Sequence, residues 1–329
     1  MSYLKEGIRI RNMEVKNRLV LPPMETVSGS EKGEVKAETL DYYDKITGSG
    51  HIGLVIVEHT YISPEGKANG RQLSAAEDDK IEGLRKLADT IKNNGSRAFI
   101  QLSHAGSNGP EDVQGTECVG PSPVMNPRKK NNLTPRELTV DEIKALVVKF
   151  AQAARRAKEA GFDGVEIHSA HGYLLNQFLS PLTNKRTDQY GGDLSGRILF
   201  HRQVVQAVRE KVGEDYPVFV RIGASDNMEG GTTIEDSREA ARELVAAGVD
   251  VIDITGGMCG FMGPEFTGQG YFSGWSESIK QAVNVPVILT GGITEPEAAE
   301  GLLKEKKADL IGVGRAILKD HNWPKRAME

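Results

Sequence analysis

Cysteine, aromatic side chains and long apolar runs are all scarce in this chain of 329 residues. Its two cysteines, Cys118 and Cys259, cannot by themselves build a disulfide framework or a four-cysteine cluster. No apolar run approaches the roughly 20 residues that a membrane-spanning helix requires. Residues 1–11 carry charges throughout and lack an apolar core, so a secretory signal is not expected there. No sign of charge dominates: 41 Lys and Arg stand against 46 Asp and Glu, a formal net charge of −5. That balance gives no reason to expect nucleic acid or an anionic membrane as partner. With 38% hydrophobic and 26% charged residues, the composition is that of neither a disordered chain nor a membrane protein. The expectation is a soluble, cytoplasmic, globular protein acting on a small molecule, with homo-oligomerisation left open.

Glycine, by contrast, is plentiful at 37 residues, and much of it follows short apolar runs. Eight such runs recur, at residues 18–22, 53–57, 98–102, 164–168, 218–222, 249–255, 285–290 and 309–313. Several are almost continuously apolar, as strands buried on both faces must be. Between them lie helical patterns. Residues 77–93 place Ile81, Leu84, Leu87, Ala88 and Ile91 at helical spacing before Gly95. Thr139 and Glu142 form a capping box opening a helix to about Ala160, and residues 233–247 form another. A further helix opens at Thr294 with an early proline, Pro296. Eight alternating units imply a parallel sheet, closed most economically as a single-domain (β/α)8 TIM barrel over residues 1–329. The alternative is an open doubly wound sheet, against which stands the lack of a GxGxxG after the first run. Two connections, 104–136 after strand three and 169–197 after strand four, are too long for ordinary turns and fall on the barrel face that carries chemistry.

The strand ends hold the candidate site residues. Strand four delivers His168, His171 and Tyr173. Two imidazoles three residues apart can grip a carbonyl or phenolate oxygen, hold a metal, or be purely structural; the spacing is not the usual zinc i, i+4 pair and no third ligand is evident. Gln101 sits within a buried strand and must find a partner, either a heteroaromatic ring edge or a neighbouring backbone. Arg221 ends strand five, a costly place for a cation without an anion. Gly291 and Gly292 follow strand seven, and Gly314 and Arg315 follow strand eight, an arrangement suited to a phosphate. No strand end offers the lysine of a Schiff-base aldolase.

These residues lie in segments that resemble the old yellow enzyme family, the FMN-dependent NAD(P)H:flavin oxidoreductases, in particular the barrel of bacterial ene-reductases and of 2,4-dienoyl-CoA reductase. The marks are NRLVLPPM at 17–24, QLSHAG at 101–106, GFDGVEIHSAHGYLLNQFLSP at 161–181, NKRTDQYGG at 184–192 and GVGRAIL at 312–318, so the resemblance spans nearly the whole chain. It implies bound FMN, with NAD(P)H as hydride donor and an activated C=C bond as acceptor. By the same resemblance, Pro23 and Met24 line the flavin, Gln101 and Arg221 hold its pyrimidine end, and Gly292, Gly314 and Arg315 bind its phosphate. His168 and His171 clamp the substrate oxygen, and Tyr173 donates a proton to the α carbon. Nitro reduction, dehydrogenation and aromatisation are the other reactions this fold supports.

The sequence departs from the family pattern in places. Ser107 follows HAG where Arg is usual, and Val27 stands where some members carry a tyrosine. His59 replaces a small residue and is expected to crowd the cofactor or substrate. Glu25 follows Met24 where Thr, Cys or Ala is common. Either Glu25 stands beside the flavin, or it turns to a solvated or salt-bridged position and Thr26 faces the flavin instead. Because the chain ends at Glu329, without the iron–sulfur segment of larger relatives, hydride is expected from free NAD(P)H or another donor at the same site.

Overall fold

In a computed structural model describing residues 2–128 and 134–329, the eight expected runs form one closed parallel barrel. Its strands are β1 (Leu19–Leu21), β2 (Leu54–Tyr61), β3 (Arg97–Ser103), β4 (Gly164–Ser169), β5 (Val218–Gly223), β6 (Val251–Thr255), β7 (Val287–Thr290) and β8 (Leu310–Gly312). Each pairs with its sequence neighbours, and β8 closes on β1 through Ile311 opposite Leu19. This is the (β/α)8 topology.

The strands alternate between two burial environments. Outward residues such as Val55, Ile100, Val165, Val220 and Leu289 pack under the helices in one large cluster. Inward residues Val20, Leu54, Ile56, Phe99, Phe219, Val251, Ile288 and Leu310 form a second cluster at the N-terminal end of the barrel. A two-stranded hairpin, Ile8–Ile10 with Met13–Val15, closes that end and adds Ile10 and Val15 to the inner cluster. The expected pattern did not include this hairpin, because three-residue strands show too few alternations to be read.

The helices follow their local signals. The stretch 77–93 divides into a 3-10 turn, Asp78–Lys80, and helix α1 (Ile81–Asn93). Helix α2 (Val140–Glu159) opens on the Thr139–Glu142 capping box, with Thr139 N–H donating to Glu142 at 2.8 Å and Glu142 N–H to Thr139 at 3.2 Å. Helix α3 (Ile234–Ala246) has the same device at Thr233 and Asp236. Helix α4 (Pro296–Lys304) starts later than expected, with Glu295 as its cap, because the Thr294 hydroxyl accepts from Gln269 at 2.6 Å and its carbonyl accepts from the Trp323 indole. The two long connections are partly structured. The first contains the pair Val119–Gly120 and Arg136–Glu137, the second a short helix, Leu174–Leu179. No helix among the described residues is long and apolar enough to cross a membrane.

Candidate active site

The inner face of the barrel changes character within one step of its two-residue repeat. Beyond Phe99 on β3 comes Gln101; beyond Gly164 on β4 come Glu166 and then His168. Beyond Phe219 on β5 comes Arg221, and beyond Val251 on β6 come Asp253 and Thr255. The register sets them on two neighbouring rungs, Gln101 beside Glu166 on one, and His168, Arg221 and Asp253 side by side on the next. Gln101 donates to Glu166 at 2.8 Å. Its partner is therefore a side chain on the next strand, not the backbone expected as one alternative.

Glu166 and Asp253 form a buried acidic pair beside one guanidinium, with Arg221 Nε 3.2 Å from Asp253. Burial, then the charge of Asp253, pushes the Glu166 carboxyl well above its usual range. Burial lifts Asp253 to about 6, with Arg221 opposing the rise. Two adjacent carboxylates cannot both ionise cheaply, so the pair holds a proton to higher pH than either acid would alone.

Above this layer the chain opens into a cavity of about 750 Å³. The candidate site residues Pro23, Met24, Glu25, His59, Gln101, His168, His171, Tyr173, Arg221, Gly291, Gly292, Gly314 and Arg315 line it, while Thr26, Val27 and Ser107 do not. His168, His171 and Tyr173 are mutually packed, with ring centroids 5.1 Å apart for the two imidazoles and 4.9 Å for His168 and Tyr173. His171 reaches the cavity because it adopts φ +57, a conformation costly for a residue with a Cβ. It is held there by a 2.9 Å hydrogen bond between its Nε2 and the Thr255 hydroxyl.

Burial, then the nearby cation Arg221, keeps His168 well below its ordinary pKa; burial, then His168, does the same to His171. Both rings are therefore neutral at physiological pH and can donate hydrogen bonds to an oxygen without carrying charge. His168 Nδ1 is buried without a partner among the described residues. Burial, then the charge of Glu25, raises the Tyr173 phenol, which stays protonated. Among the described residues no group of three or more His, Cys, Asp or Glu side chains is arranged to hold a metal.

Glu25 lines the cavity, tied to two neighbouring side chains. It accepts from Asn69 and lies 3.5 Å from His59 Nε2. The His59 hydrogen bond holds its carboxyl below the usual range, against the opposing effect of burial. Gln72 donates to His59 Nδ1 at 2.6 Å, which leaves the ring proton on Nε2, directed at Glu25. Thr26 does not face the cavity: its N–H donates to Glu58 at 3.0 Å and its hydroxyl binds the same carboxylate. Of the two arrangements expected for Glu25, the structure takes the cavity position from one, while the side chain is held by Asn69 and His59.

At the opposite end, Gly292 has φ +66, and a Cβ there would meet the Gly268 carbonyl at 2.4 Å. Arg315 Nη2 donates to the Tyr271 hydroxyl at 3.3 Å. The cavity wall also contains Arg128, Phe261, Met262 and Tyr271, none of which sequence reasoning picked out. They lie in irregular loops where no periodicity marks a facing side. Glu166 and Asp253 were equally missed, although the signal that marked Gln101, a polar residue in a buried strand, applies to both.

The NADH:flavin oxidoreductase / NADH oxidase family model matches residues 4–329. The chain belongs to this family. The protein is 41% identical over 334 residues to an NADH oxidase of Thermoanaerobacter brockii, covering all of this chain and 51% of the relative. It thus spans about half the length of that curated relative. Among solved structures, 2-naphthoyl-CoA reductase in complex with 2-naphthoyl-CoA superposes with a TM-score of 0.93 at 30% identity, over 98% of this chain and 52% of the other. An old yellow enzyme homologue from Zymomonas mobilis superposes at 0.84 and 28% identity, over 98% and 91%.

Membership of this family implies FMN as the cofactor. The residues present fit that group. An amide and a guanidinium, Gln101 and Arg221, suit the polar ring edge, and Gly292, Gly314 and Arg315 suit a phosphate. Thr290 Oγ1, in the wall between β7 and β8, is a further buried polar atom without a protein partner among the described residues.

Proposed function

We propose that the protein reduces activated C=C bonds of small molecules, with NAD(P)H as the source of electrons. The observation that carries this reading is the packed cluster of two neutral imidazoles and one protonated phenol in the same cavity as Gln101 and Arg221. Pro23 and Met24 would lie along the flavin ring, Gln101 and Arg221 would hold its pyrimidine end, and Gly292, Gly314 and Arg315 its phosphate. Bound FMN supplies hydride chemistry at the β carbon of the acceptor.

The remaining work belongs to the side chains. His168 and His171 donate hydrogen bonds to the substrate's electron-withdrawing oxygen, and because both rings are neutral this polarises the double bond without fixing a cation there. Tyr173 keeps its proton until the α carbon becomes basic enough to take it, which suits a general acid. Arg221 places a fixed positive charge where negative charge accumulates.

The test is Tyr173→Phe. Turnover of an enone such as cyclohexenone should fall by about 10²–10⁴-fold, the usual worth of a general acid. Reduction by nicotinamide in the absence of enone should stay unchanged. An enone rate equal to wild type would move proton donation away from Tyr173.

A further inference from the structure

Among the described residues, four Arg and Lys side chains line the cavity: Arg128, Arg221, Arg315 and Lys319. Three are accounted for by the reading above. Arg221 is tied to Asp253 in the barrel layer, and Arg315 and Lys319 belong to the short helix Arg315–Lys319 beside the phosphate-type glycines. Arg128 is different. It comes from the loop after β3, on the side of the cavity that carries His171, Tyr173 and Phe261.

Arg128 is held at both ends. Its backbone N–H donates to Asn126 Oδ1 at 3.0 Å, and its Nη1 donates to the Met258 carbonyl at 3.2 Å. The side chain runs through a slot between two glycines. A Cβ on Gly172 would stand 2.6 Å from Arg128 Cδ, and one on Gly260 would stand 2.0 Å from Nη1. Both glycines have positive φ, +71 and +77, so side chains are excluded there on two grounds. The slot fixes the guanidinium and leaves most of its five donors unused. Among the described residues no carboxylate pairs with it. A partly buried guanidinium without an anion is costly, which a ligand anion would offset.

The neighbouring wall is apolar. Phe261 packs on His171 with centroids 4.9 Å apart, yet is 41% exposed, and Met262 is 58% exposed. Exposed large apolar groups at a cavity mouth favour an apolar ligand body.

We propose that the cavity takes a conjugated, largely apolar substrate that carries its own carboxylate, and that Arg128 is the residue selecting for that carboxylate. This rests on the function proposed above: His168 and His171 hold one oxygen of the ligand, Phe261 and Met262 cover its body, and Arg128 reads its charge.

The experiment measures binding of 3- and 4-hydroxybenzoate to the FMN-loaded protein, each against the uncharged amide of the same shape, by the change in flavin absorbance. For the better-fitting isomer, the acid should bind about 10- to 100-fold more tightly than the amide, the range of a charge-assisted pair. Arg128→Gln should erase that preference while leaving the amide's Kd and the flavin content unchanged. Equal affinity of acid and amide in the wild type would overturn the inference, and so would an Arg128→Gln variant that weakens both alike. If none of the phenols perturbs the flavin, the oxygen clamp at His168 and His171 fails, and the inference falls with it.

Discussion

The two ends of the barrel interior are built from the same strands and do opposite things. At the N-terminal end, Phe99 and Phe219 meet with ring centroids 4.3 Å apart among Leu54, Ile56, Val251, Ile288 and Leu310, and the hairpin residues Ile10 and Val15 seal the opening. Gly164 belongs to this end for a packing reason: a Cβ there would lie 2.2 Å from the Phe99 ring. One inward step along each strand, the layer becomes Gln101, Glu166, Arg221 and Asp253. The lower layer gains stability by removing apolar surface from water. The upper layer spends some of it, because buried ionisable groups are costly even when paired. A barrel can carry such a layer because its other end, and the outer shell of helices, supply the stability.

If this division is right, the largest effect on stability comes from below. Phe99→Ala should destabilise the protein by about 3–5 kcal/mol in denaturant unfolding, the usual cost of emptying a buried aromatic position. The loss should vary little with pH, since no member of the inner apolar cluster carries a titratable side chain. A loss that varied with pH would tie the lower layer to the charged one above it.

Arg315→Ala probes the top and should leave unfolding by denaturant of the FMN-free protein unchanged. It should weaken FMN retention by about 1.5–3 kcal/mol, measured by dialysis and flavin fluorescence, because a charge-assisted phosphate contact is lost. A variant that retains FMN like wild type would remove Arg315 from the phosphate end.

The smallest effect, and the most diagnostic, is that of Asp253→Asn. A carboxyl raised to about 6 in the fold binds its proton more tightly than it does unfolded, where its pKa is roughly 3.9. Its contribution is therefore fully present below pH ~4 and is lost as pH rises through about 6. The wild type should lose stability progressively over that window, and Glu166, also raised by burial, adds a loss of the same sign. Asp253→Asn should make the slope shallower without abolishing it, whereas Phe99→Ala should keep it. An unaltered slope in Asp253→Asn would take Asp253 out of the buried titration.

Much of this was legible in the chain. The eight strands were visible because strands buried on both faces must be apolar, and the helices because their periodicity and caps are local. Gln101 and Arg221 stood out as polar groups at strand positions where nothing polar is cheap. Glu166 and Asp253 carry the same mark, but a sequence does not say which polar strand residues point inward together. Arg128 had no mark at all, since irregular loops have no repeat to violate. Glu25 was legible as a departure from the family pattern, yet its contact with His59 depends on Gln72 orienting that ring from another segment.

By itself, then, the sequence determined the order and kind of the elements, their caps, and which strand ends carry chemistry-bearing side chains. These are matters of short-range sterics, hydrogen bonding and hydrophobic period. Closure of the barrel decided the rest. It placed Gln101 against Glu166, 65 residues away, paired Asp253 with Arg221, turned Thr26 to Glu58 and Glu25 to the cavity, and laid Arg128 between two glycines. Charge states and ligand contacts follow from which groups share a low-dielectric space, and only the three-dimensional chain brings those groups together.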